Sequence, residues 1–204
     1  MQTIKINKYR LTKRALTRAV EVLRAGGVVV HPSESSYGLA VDPTIHWAVK
    51  KIFRLKGRPS GKPLLLAAES VQQAETIVRL NTTLRNYAQK HWPGPLTIVA
   101  PAKKKIDLTG TSRPTTKIAI RVPAAVWLRA LARELGHPVT STSVNLTGEP
   151  PAFTSAGVRS VFADQGIKPD LFLDAGALPH RPPSTIIDQA GTKIRILRQG
   201  SVKL

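Results

Sequence analysis

Short apolar runs alternate with amphipathic segments along most of the chain, and this alternation constrains the fold more than any other feature of the sequence. VVVH (28–31) is an apolar run bounded by Gly26-Gly27 on one side and Pro32 on the other. Similar strand-like runs are LLLAA (64–68), LTIVAP (96–101), KIAIRVP (117–123), PVTST (138–142), FLDAG (172–176), STIID (184–188) and KIRILR (193–198). Strands of this kind that alternate with helices predict α/β layering around a largely internal sheet.

The segments between these runs carry apolar residues at helical spacing. Leu16, Ala19, Val20 and Leu23 share one face of a predicted helix that Gly26 ends. Further helices are predicted around 45–52, 71–78, 82–91 and 125–135. Ser70 stands where it can cap the second of these, because its side-chain oxygen accepts from a free backbone N–H.

The chain has 204 residues, enough to bury a core, and we expect residues 1–204 to form a single domain. No stretch reaches the ~18 consecutive apolar residues of a membrane span. The basic N-terminus lacks the apolar region of a secretory signal, and the sequence has no cysteine for disulfides or thiolate-bound metals. We therefore expect a cytoplasmic location and no association with a membrane.

Charge is the most unusual property of the composition. Basic residues outnumber acidic ones 31 to 12, which gives a formal net charge of +19. An excess of this kind favours a polyanionic partner, because lysines and arginines that neutralise phosphates release condensed counterions. The alternative is a solvated surface that keeps the protein in solution.

Several familiar types of site have no counterpart in the sequence. The five histidines are scattered and lack the spacing of metal ligands. There is no GxxxxGK[ST] loop, no GxGxxG fingerprint and no GxSxG nucleophile elbow. A bound nucleotide would therefore have to be held in another way.

Polar loops that follow apolar strands are the remaining candidates for a site. They are HPSESSYG (31–38), TSTSVNLTGEPP (140–151) and PPSTIID (182–188), to which the basic loop LKGRPSGKP (55–63) is added. In α/β proteins, ligand sites gather where strand ends open into loops. Hydroxyls, an amide and cations around one cavity suit a ligand with phosphate and amino-acid groups. Each loop taken alone is equally consistent with an ordinary turn.

Together these segments resemble the YrdC-like threonylcarbamoyl-AMP synthase family. Lys56-Gly57-Arg58 matches the KxR signature of the family, and Ser143-Val144-Asn145 matches its SxN signature. HPSESSYGLA resembles the family segment YPTET-YGLG, and HWPGPLTIV resembles FWPGPLT. KIAIRVP, STSVNLTGEPP, PSTIID and ILRQG match further segments in the expected order, so the resemblance covers residues from about 16 to 200.

The resemblance implies a single-domain, twisted mixed sheet flanked by helices, with a concave basic face. It implies an enzyme, a nucleotidyltransferase that combines L-threonine, bicarbonate and ATP into threonylcarbamoyl-AMP and releases pyrophosphate. Partner proteins of the threonylcarbamoyl-transferase complex would then modify the adenosine beside the anticodon of tRNA. Because the chain ends soon after ILRQG, we expect the short form without a further C-terminal domain.

The resemblance also assigns residues to the site. The central constellation is Lys56, Arg58, Ser143 and Asn145. The implied ATP contacts are Lys56, Arg58, Lys62, Asn145 and Arg198, and the implied threonine contacts are Ser33, Ser35, Tyr37, Arg121, Ser143 and Ser184. No residue is expected to ligate a metal, and Mg²⁺ would arrive coordinated mainly by ATP phosphates and water.

Two positions depart from the family pattern, and one alternative function stays open. Ala67 stands where many relatives have a histidine, and Phe153 stands where a hydroxyl residue is common. The alternative is a non-catalytic protein that binds tRNA or double-stranded RNA and acts in tRNA or ribosome maturation. The charge favours it, whereas the presence of both Ser143 and Asn145 favours the enzyme.

Overall fold

The computed structural model describes residues 1–190 and 193–204, which form helices on both sides of a mixed sheet. The strands are β1 (Gln2–Lys5), β2 (Val29–Pro32), β3 (Tyr37–Ala40), β4 (Leu65–Ala67), β5 (Leu96–Pro101), β6 (Lys117–Arg121), β7 (Val139–Ser143), β8 (Leu171–Asp174), β9 (Thr185–Ala190) and β10 (Lys193–Arg198). The helices are α1 (Lys13–Arg24), α2 (His46–Lys56), α3 (Val71–Glu75), α4 (Thr82–His91), α5 (Val126–Leu135) and α6 (Ser155–Val161).

The ten strands form one sheet in the order β1-β8-β2-β3-β7-β4-β6-β5-β9-β10. Four neighbouring pairs run parallel: β1 with β8, β8 with β2, β4 with β6, and β5 with β9. The other five pairs are antiparallel. The sheet is therefore mixed and flanked by helices, which confirms the predicted fold class.

The two faces of the sheet bury two separate apolar clusters. Side chains alternate between the faces of a strand, so Val29 of β2 packs with α1 and α5, while Val30 joins the larger cluster that includes α2. Leu66 and Ala67 of β4 divide in the same way. On the face that carries Val29 and Ala67, α1 and α5 cover only part of the sheet. The uncovered part of this face carries the cavity described below.

Most predicted elements are present, with differences at their ends. The helix after Ser70 ends at Glu75 rather than continuing to residue 78, although Ser70 caps it by accepting from Gln73 N at 3.1 Å. Pro32 is the last residue of β2, so this strand ends where the sequence predicts. Three elements have no counterpart in the sequence-based prediction: β1, β3 and α6. Among the described residues, no helix combines the length and hydropathy needed to cross a bilayer.

Candidate ligand-binding site

A cavity of about 570 Å³ lies over the central strands on the face that α1 and α5 leave open. Its size suits a small-molecule ligand. The polar residues that line it are Ser33, Ser35, Ser36, Tyr37, Arg58, Arg121, Ser141, Thr142, Ser143, Asn145, Glu149, Arg181, Ser184 and Arg198. Nine of the predicted site residues are in this set, although they come from six separate stretches of the chain. Four arginines against one carboxylate favour an anionic ligand in this cavity.

Lys56 holds the SxN loop in place through its ammonium group. It is the last residue of α2, 3% exposed, and its ammonium donates to Ser143 O (2.6 Å), Asn145 O (2.9 Å) and Asn145 Oδ1 (2.8 Å). Ser143 Oγ donates to the same Asn145 Oδ1 at 2.5 Å. All three ammonium N–H groups are thus used within the protein, and Lys56 contributes to the cavity through its charge and through the loop that it holds.

The loop is fixed from its other end as well. Asn145 Nδ2 donates to Leu146 O and Glu149 O at 2.8 and 2.7 Å. Thr147 N and Oγ1 both donate to Lys56 O, at 2.9 and 3.1 Å. The turn from β7 is therefore bound to the end of α2 by side chain and backbone together, which explains why the KxR and SxN signatures belong to one site.

Arg58 follows Gly57, which takes a left-handed conformation (φ 54°) and ends α2. The Arg58 guanidinium donates to Lys62 O (3.2 Å) and Pro63 O (3.1 Å), and it lies 6.0 Å from the centre of the Phe53 ring. Burial and the nearby charge of Arg58 lower the pKa of Lys56 to about 8, and burial also lowers the pKa of Arg58. Both groups carry positive charge at neutral pH.

Arg121 ends β6 at the cavity and is 7% exposed. Its guanidinium lies 3.4 Å from Glu34 Oε2 but makes no hydrogen bond to another described residue, and its Nε is buried without a partner. A buried guanidinium with open donors is costly unless an acceptor completes it. Arg121 therefore presents a site suited to a carboxylate or phosphate.

Ser184 and Arg198 meet at the start of β9, although β10 brings Arg198 from fourteen residues later. Arg198 Nη2 donates to Ser184 O (2.8 Å) and Ser184 Oγ (3.0 Å), and Ser184 Oγ also pairs with Thr97 Oγ1 at 2.8 Å. Burial, with a contribution from the charge of Arg121, lowers the pKa of Arg198. The charge of Arg121 therefore acts on Arg198 across the cavity.

The segment before β3 contributes hydroxyl groups to the cavity. Ser33 Oγ donates to Ser36 O at 2.7 Å and faces the N–H groups of Ser35 and Ser36 at 3.4 Å, which shapes a tight turn. Tyr37 lines the cavity, but its hydroxyl donates to Gly176 O (2.8 Å) and accepts from Ala175 N (2.9 Å). Burial raises the pKa of Tyr37. Its phenol is occupied by the backbone and supports the turn.

The remaining sequence-based candidates differ in position. Lys62 is exposed and is not among the residues that line the cavity. Its backbone carbonyl accepts a hydrogen bond from the Arg58 guanidinium. Ala67 is fully buried in the cluster with α1 and α5. Phe153 lines the cavity and stacks on His180, with ring centres 3.4 Å apart. Arg181 also lines the cavity and is missed by sequence reasoning, although it directly precedes the PPST segment.

Carboxylates are scarce at this cavity. Glu149 is the one acid among the described residues that line it, and no group of three or more His, Cys, Asp or Glu residues with metal-binding geometry occurs in residues 1–190 and 193–204. A second cavity of about 350 Å³ is lined by two histidines, but each faces an aspartate: His46 with Asp107 at 3.2 Å and His137 with Asp42 at 3.4 Å. These donors do not resemble a divalent-cation site.

Comparison with known proteins identifies the chain's relatives. The family model Sua5_yciO_yrdC, whose description reads "Telomere recombination", matches residues 21–200. The chain belongs to the Sua5/YciO/YrdC family. The match includes the KxR, SxN and PSTIID segments, so the predicted family is confirmed.

Members of the family with assigned names are similar over most of the chain. A threonylcarbamoyl-AMP synthase of Thiobacillus denitrificans is 41% identical over 84% of this chain and 89% of the relative. One of Idiomarina loihiensis is 37% identical over 82% of this chain and 90% of the relative. The crystal structure of P. abyssi Sua5 complexed with L-threonine superposes with a TM-score of 0.88 at 29% identity. It covers 98% of this chain, which spans only 58% of that longer protein.

Proposed function

We propose that the protein is an L-threonylcarbamoyladenylate synthase. It combines L-threonine, bicarbonate and ATP into threonylcarbamoyl-AMP and pyrophosphate, and the product supplies the threonylcarbamoyl group for modification of tRNA beside the anticodon. Family membership supports this proposal, as do two named synthases at 37–41% identity and a threonine-bound structural relative.

The observation that carries the proposal is Arg121, a buried guanidinium with open donors at a cavity rimmed by serines. The α-carboxylate of an amino acid accepts two parallel hydrogen bonds from such a group. In the proposed complex Arg121 binds the threonine carboxylate, and Ser33, Ser35, Ser143 and Ser184 surround the rest of the amino acid. Tyr37 contributes through the turn that its buried ring supports.

ATP occupies the part of the cavity beside the KxR loop. Arg58 contacts the phosphates, Lys56 adds a buried positive charge, and Asn145 holds the loop that borders the nucleotide. Arg198 and Lys62 are the further proposed contacts, Lys62 requiring a movement of its exposed side chain toward the phosphates. Mg²⁺ belongs to this scheme as part of the ATP complex, coordinated by phosphate oxygens and water, because the cavity itself offers only Glu149 among its described lining.

The reaction makes and breaks few bonds. The threonine amine adds to bicarbonate with loss of water to form a carbamate, and a carbamate oxygen then attacks the α-phosphorus of ATP. The bond from that phosphorus to the bridging oxygen of pyrophosphate breaks as the mixed anhydride forms. Negative charge builds on the phosphoryl and leaving oxygens, where Arg58 and Lys56 stabilise it, and fixed binding of both substrates lowers the barrier further.

Release of pyrophosphate tests this function. Purified protein supplied with ATP, Mg²⁺ and bicarbonate should release pyrophosphate when L-threonine is added and remain at background without it. Folded protein, verified by a cooperative thermal transition, that shows no dependence on threonine would contradict the proposal.

RNA binding is the second candidate, and the charge of +19 is the observation that favours it. On this alternative, the protein binds tRNA or double-stranded RNA on a concave basic face and catalyses nothing. Calorimetry with threonine and ATP, compared with tRNA binding at several salt concentrations, separates the two. Threonine and ATP binding supports the enzyme, and salt-sensitive tRNA binding without either supports the alternative.

The proposed reaction suggests the partners of the protein and its location in the cell. We take residues 1–204 as one YrdC-like domain, since a continuous sheet runs through it. Proteins of the threonylcarbamoyl-transferase complex are the proposed recipients of the product, and tRNA is a further proposed partner. A cytoplasmic location is proposed because ATP and tRNA are found there.

A further inference from the structure

A group of buried polar atoms beside the cavity lacks hydrogen-bond partners. Among the described residues, four buried side-chain nitrogen or oxygen atoms have none, and three of them are His31 Nε2, Glu34 Oε2 and Arg121 Nε. The three side chains are neighbours, since the charges of Arg121 and Glu34 both act on His31. Such atoms are rare in folded proteins and concentrate where strain or function requires them.

The two oxygens of Glu34 have different surroundings. Oε1 accepts from Ala124 N at 2.5 Å and from Ala125 N at 3.3 Å, just before α5 begins. Oε2 has no hydrogen bond to any described residue and lies 3.4 Å from Arg121 Nη2. The backbone therefore anchors one side of the carboxylate, and the other side holds the guanidinium at the cavity.

The ionisation of the group fits this arrangement. Burial raises the pKa of Glu34, but the charge of Arg121 and the backbone N–H groups outweigh it, so the pKa lies below its ordinary value. Burial, reinforced by Arg121, lowers the pKa of His31 to about 4. At neutral pH His31 is uncharged and Glu34 is ionised.

The charges of Arg121, Arg198 and Glu34 indicate which ligand would complete this group of side chains. Arg121 and the coupled Arg198 contribute two positive charges, and Glu34 contributes one negative charge. One positive charge remains at a buried guanidinium with open donors. A single carboxylate ligand satisfies both the charge and the donors, whereas without Glu34 the charge of the buried Arg121 would be unbalanced in low dielectric, next to the more exposed Arg198.

We infer that Glu34 is a positioning residue, which acts through Arg121 to orient its guanidinium toward the carboxylate of the amino-acid substrate. The inference rests on the proposed function, since it takes threonine as that substrate. Glu34 itself does not touch the ligand, because its unpaired oxygen is buried. It sets affinity for the amino acid and leaves the nucleotide contacts unchanged.

Glu34→Gln isolates this role. The amide oxygen still accepts from Ala124 N and Ala125 N, so the anchor before α5 is retained, while the charge facing Arg121 is lost. The dissociation constant for threonine, measured by calorimetry, should rise about tenfold or more, as expected for a lost charge-assisted interaction. The dissociation constant for ATP should stay within about twofold. Glu69→Gln is the matched control, since Glu69 pairs with Arg133 of α5 at 3.5 Å and does not line the cavity.

A double-mutant cycle distinguishes positioning from a purely structural role. If Glu34 acts through Arg121, Glu34→Gln should weaken threonine binding in the wild type but add nothing in an Arg121→Gln background. An equal effect in both backgrounds, or threonine affinity as high in E34Q as in the wild type, would overturn the inference alone. Absence of threonine binding in the wild type would overturn the proposed function and the inference together. If E34Q does not fold, Glu34→Asp replaces it under the same criteria, because the shorter side chain keeps the charge but withdraws it from Arg121.

Discussion

Three cations of one short loop have three different environments. Lys56 is buried with every ammonium donor in use, Arg58 is half-buried at the cavity, and Lys62 is exposed. Because a buried ammonium must be fully hydrogen-bonded, Lys56 fixes the SxN loop, while Arg58 keeps its planar guanidinium at the cavity. Within this loop, Lys56 therefore has a structural role and Arg58 faces the cavity.

Arg58→Ala should remove most of the activity without unfolding the protein. We expect kcat/KM for ATP to fall about 100-fold or more, the loss typical of removing one preorganised donor to a developing anion. Among the described residues, the hydrogen bonds of the Arg58 guanidinium go to two carbonyls of its own loop, so the free energy of unfolding should drop by about 1 kcal/mol. Pyrophosphate release and thermal melting measure both quantities. Exposed Arg54 provides the control, as Arg54→Ala, and full activity of folded R58A would exclude Arg58 from the site.

ATP binding should weaken as pH rises through the pKa of Lys56, which is about 8. Deprotonation removes a buried positive charge beside the phosphates, so ATP affinity should fall about threefold to tenfold between about pH 7 and 9.5. Calorimetry across this range measures the effect, and Lys56→Met should bind ATP weakly with little pH dependence. A wild-type affinity that is constant above pH 8 would contradict this role.

The contribution of Lys56 to the free energy of unfolding changes with pH in the opposite direction to its contribution to ATP affinity. Its folded pKa lies below the ordinary value of 10.5, so between these pH values the unfolded chain binds more protons. The cost of burying Lys56 is complete below about pH 8 and diminishes as pH rises toward about 10.5.

At the scale of elements, the segment between β5 and β6 supports the KxR loop. Leu108 O accepts from Leu64 N at 2.8 Å, and Thr109 O accepts from Gly61 N at 3.0 Å. Asp107 shapes this segment by accepting from Thr109 N (2.9 Å) and Ser112 N (2.8 Å), while His46 at the start of α2 pairs with it. The phosphate-facing loop is therefore held by a segment about fifty residues away in sequence.

Asp107→Ala should loosen this support. We expect the KM for ATP to rise about threefold to tenfold while the KM for threonine stays unchanged, since among the described residues no hydrogen bond joins Arg121 to this segment. Loss of several hydrogen bonds to one carboxylate should lower the free energy of unfolding by about 1–3 kcal/mol. Steady-state kinetics and melting measure these changes against Asp164→Ala, an exposed acid elsewhere. Equal changes in both KM values would indicate a general loss of structure.

Two of the elements that sequence reasoning missed, β3 and β1, were missed for the same physical reason, because each is defined by pairing with strands that are distant in sequence. β3 contains Gly38 and follows a serine-rich turn, and it pairs antiparallel with β2 and β7, partners that local pattern does not reveal. β1 is short and mostly exposed, and its pairing with β8 lies about 170 residues away. The long apolar strands and the amphipathic α1 and α5 were predictable because their period alone identifies the buried face.

At the scale of the whole molecule, the net charge of +19 leads to a prediction about RNA binding. If tRNA binds through its phosphates, affinity should fall about 10³-fold or more between about 50 and 200 mM salt. Lys13→Gln with Arg14→Gln, two exposed cations at the start of α1, should reduce the salt slope by about one for each phosphate that the variant no longer neutralises. Filter binding or fluorescence anisotropy at four salt concentrations measures the slope. A slope near zero would show that the charge serves another purpose.

The sequence by itself determined the layered α/β class, the family and most of the polar residues at the cavity, because strand and helix periods and short ordered motifs are local properties. Only the tertiary structure decided what those residues face. It brought Arg121 to Glu34 and His31, joined Ser184 to Arg198 and Thr97, and occupied the donors of Lys56 and the hydroxyl of Tyr37. Hydrogen-bond partners and buried charge depend on the pairing of distant strands, and a linear pattern contains no information about which donors remain open.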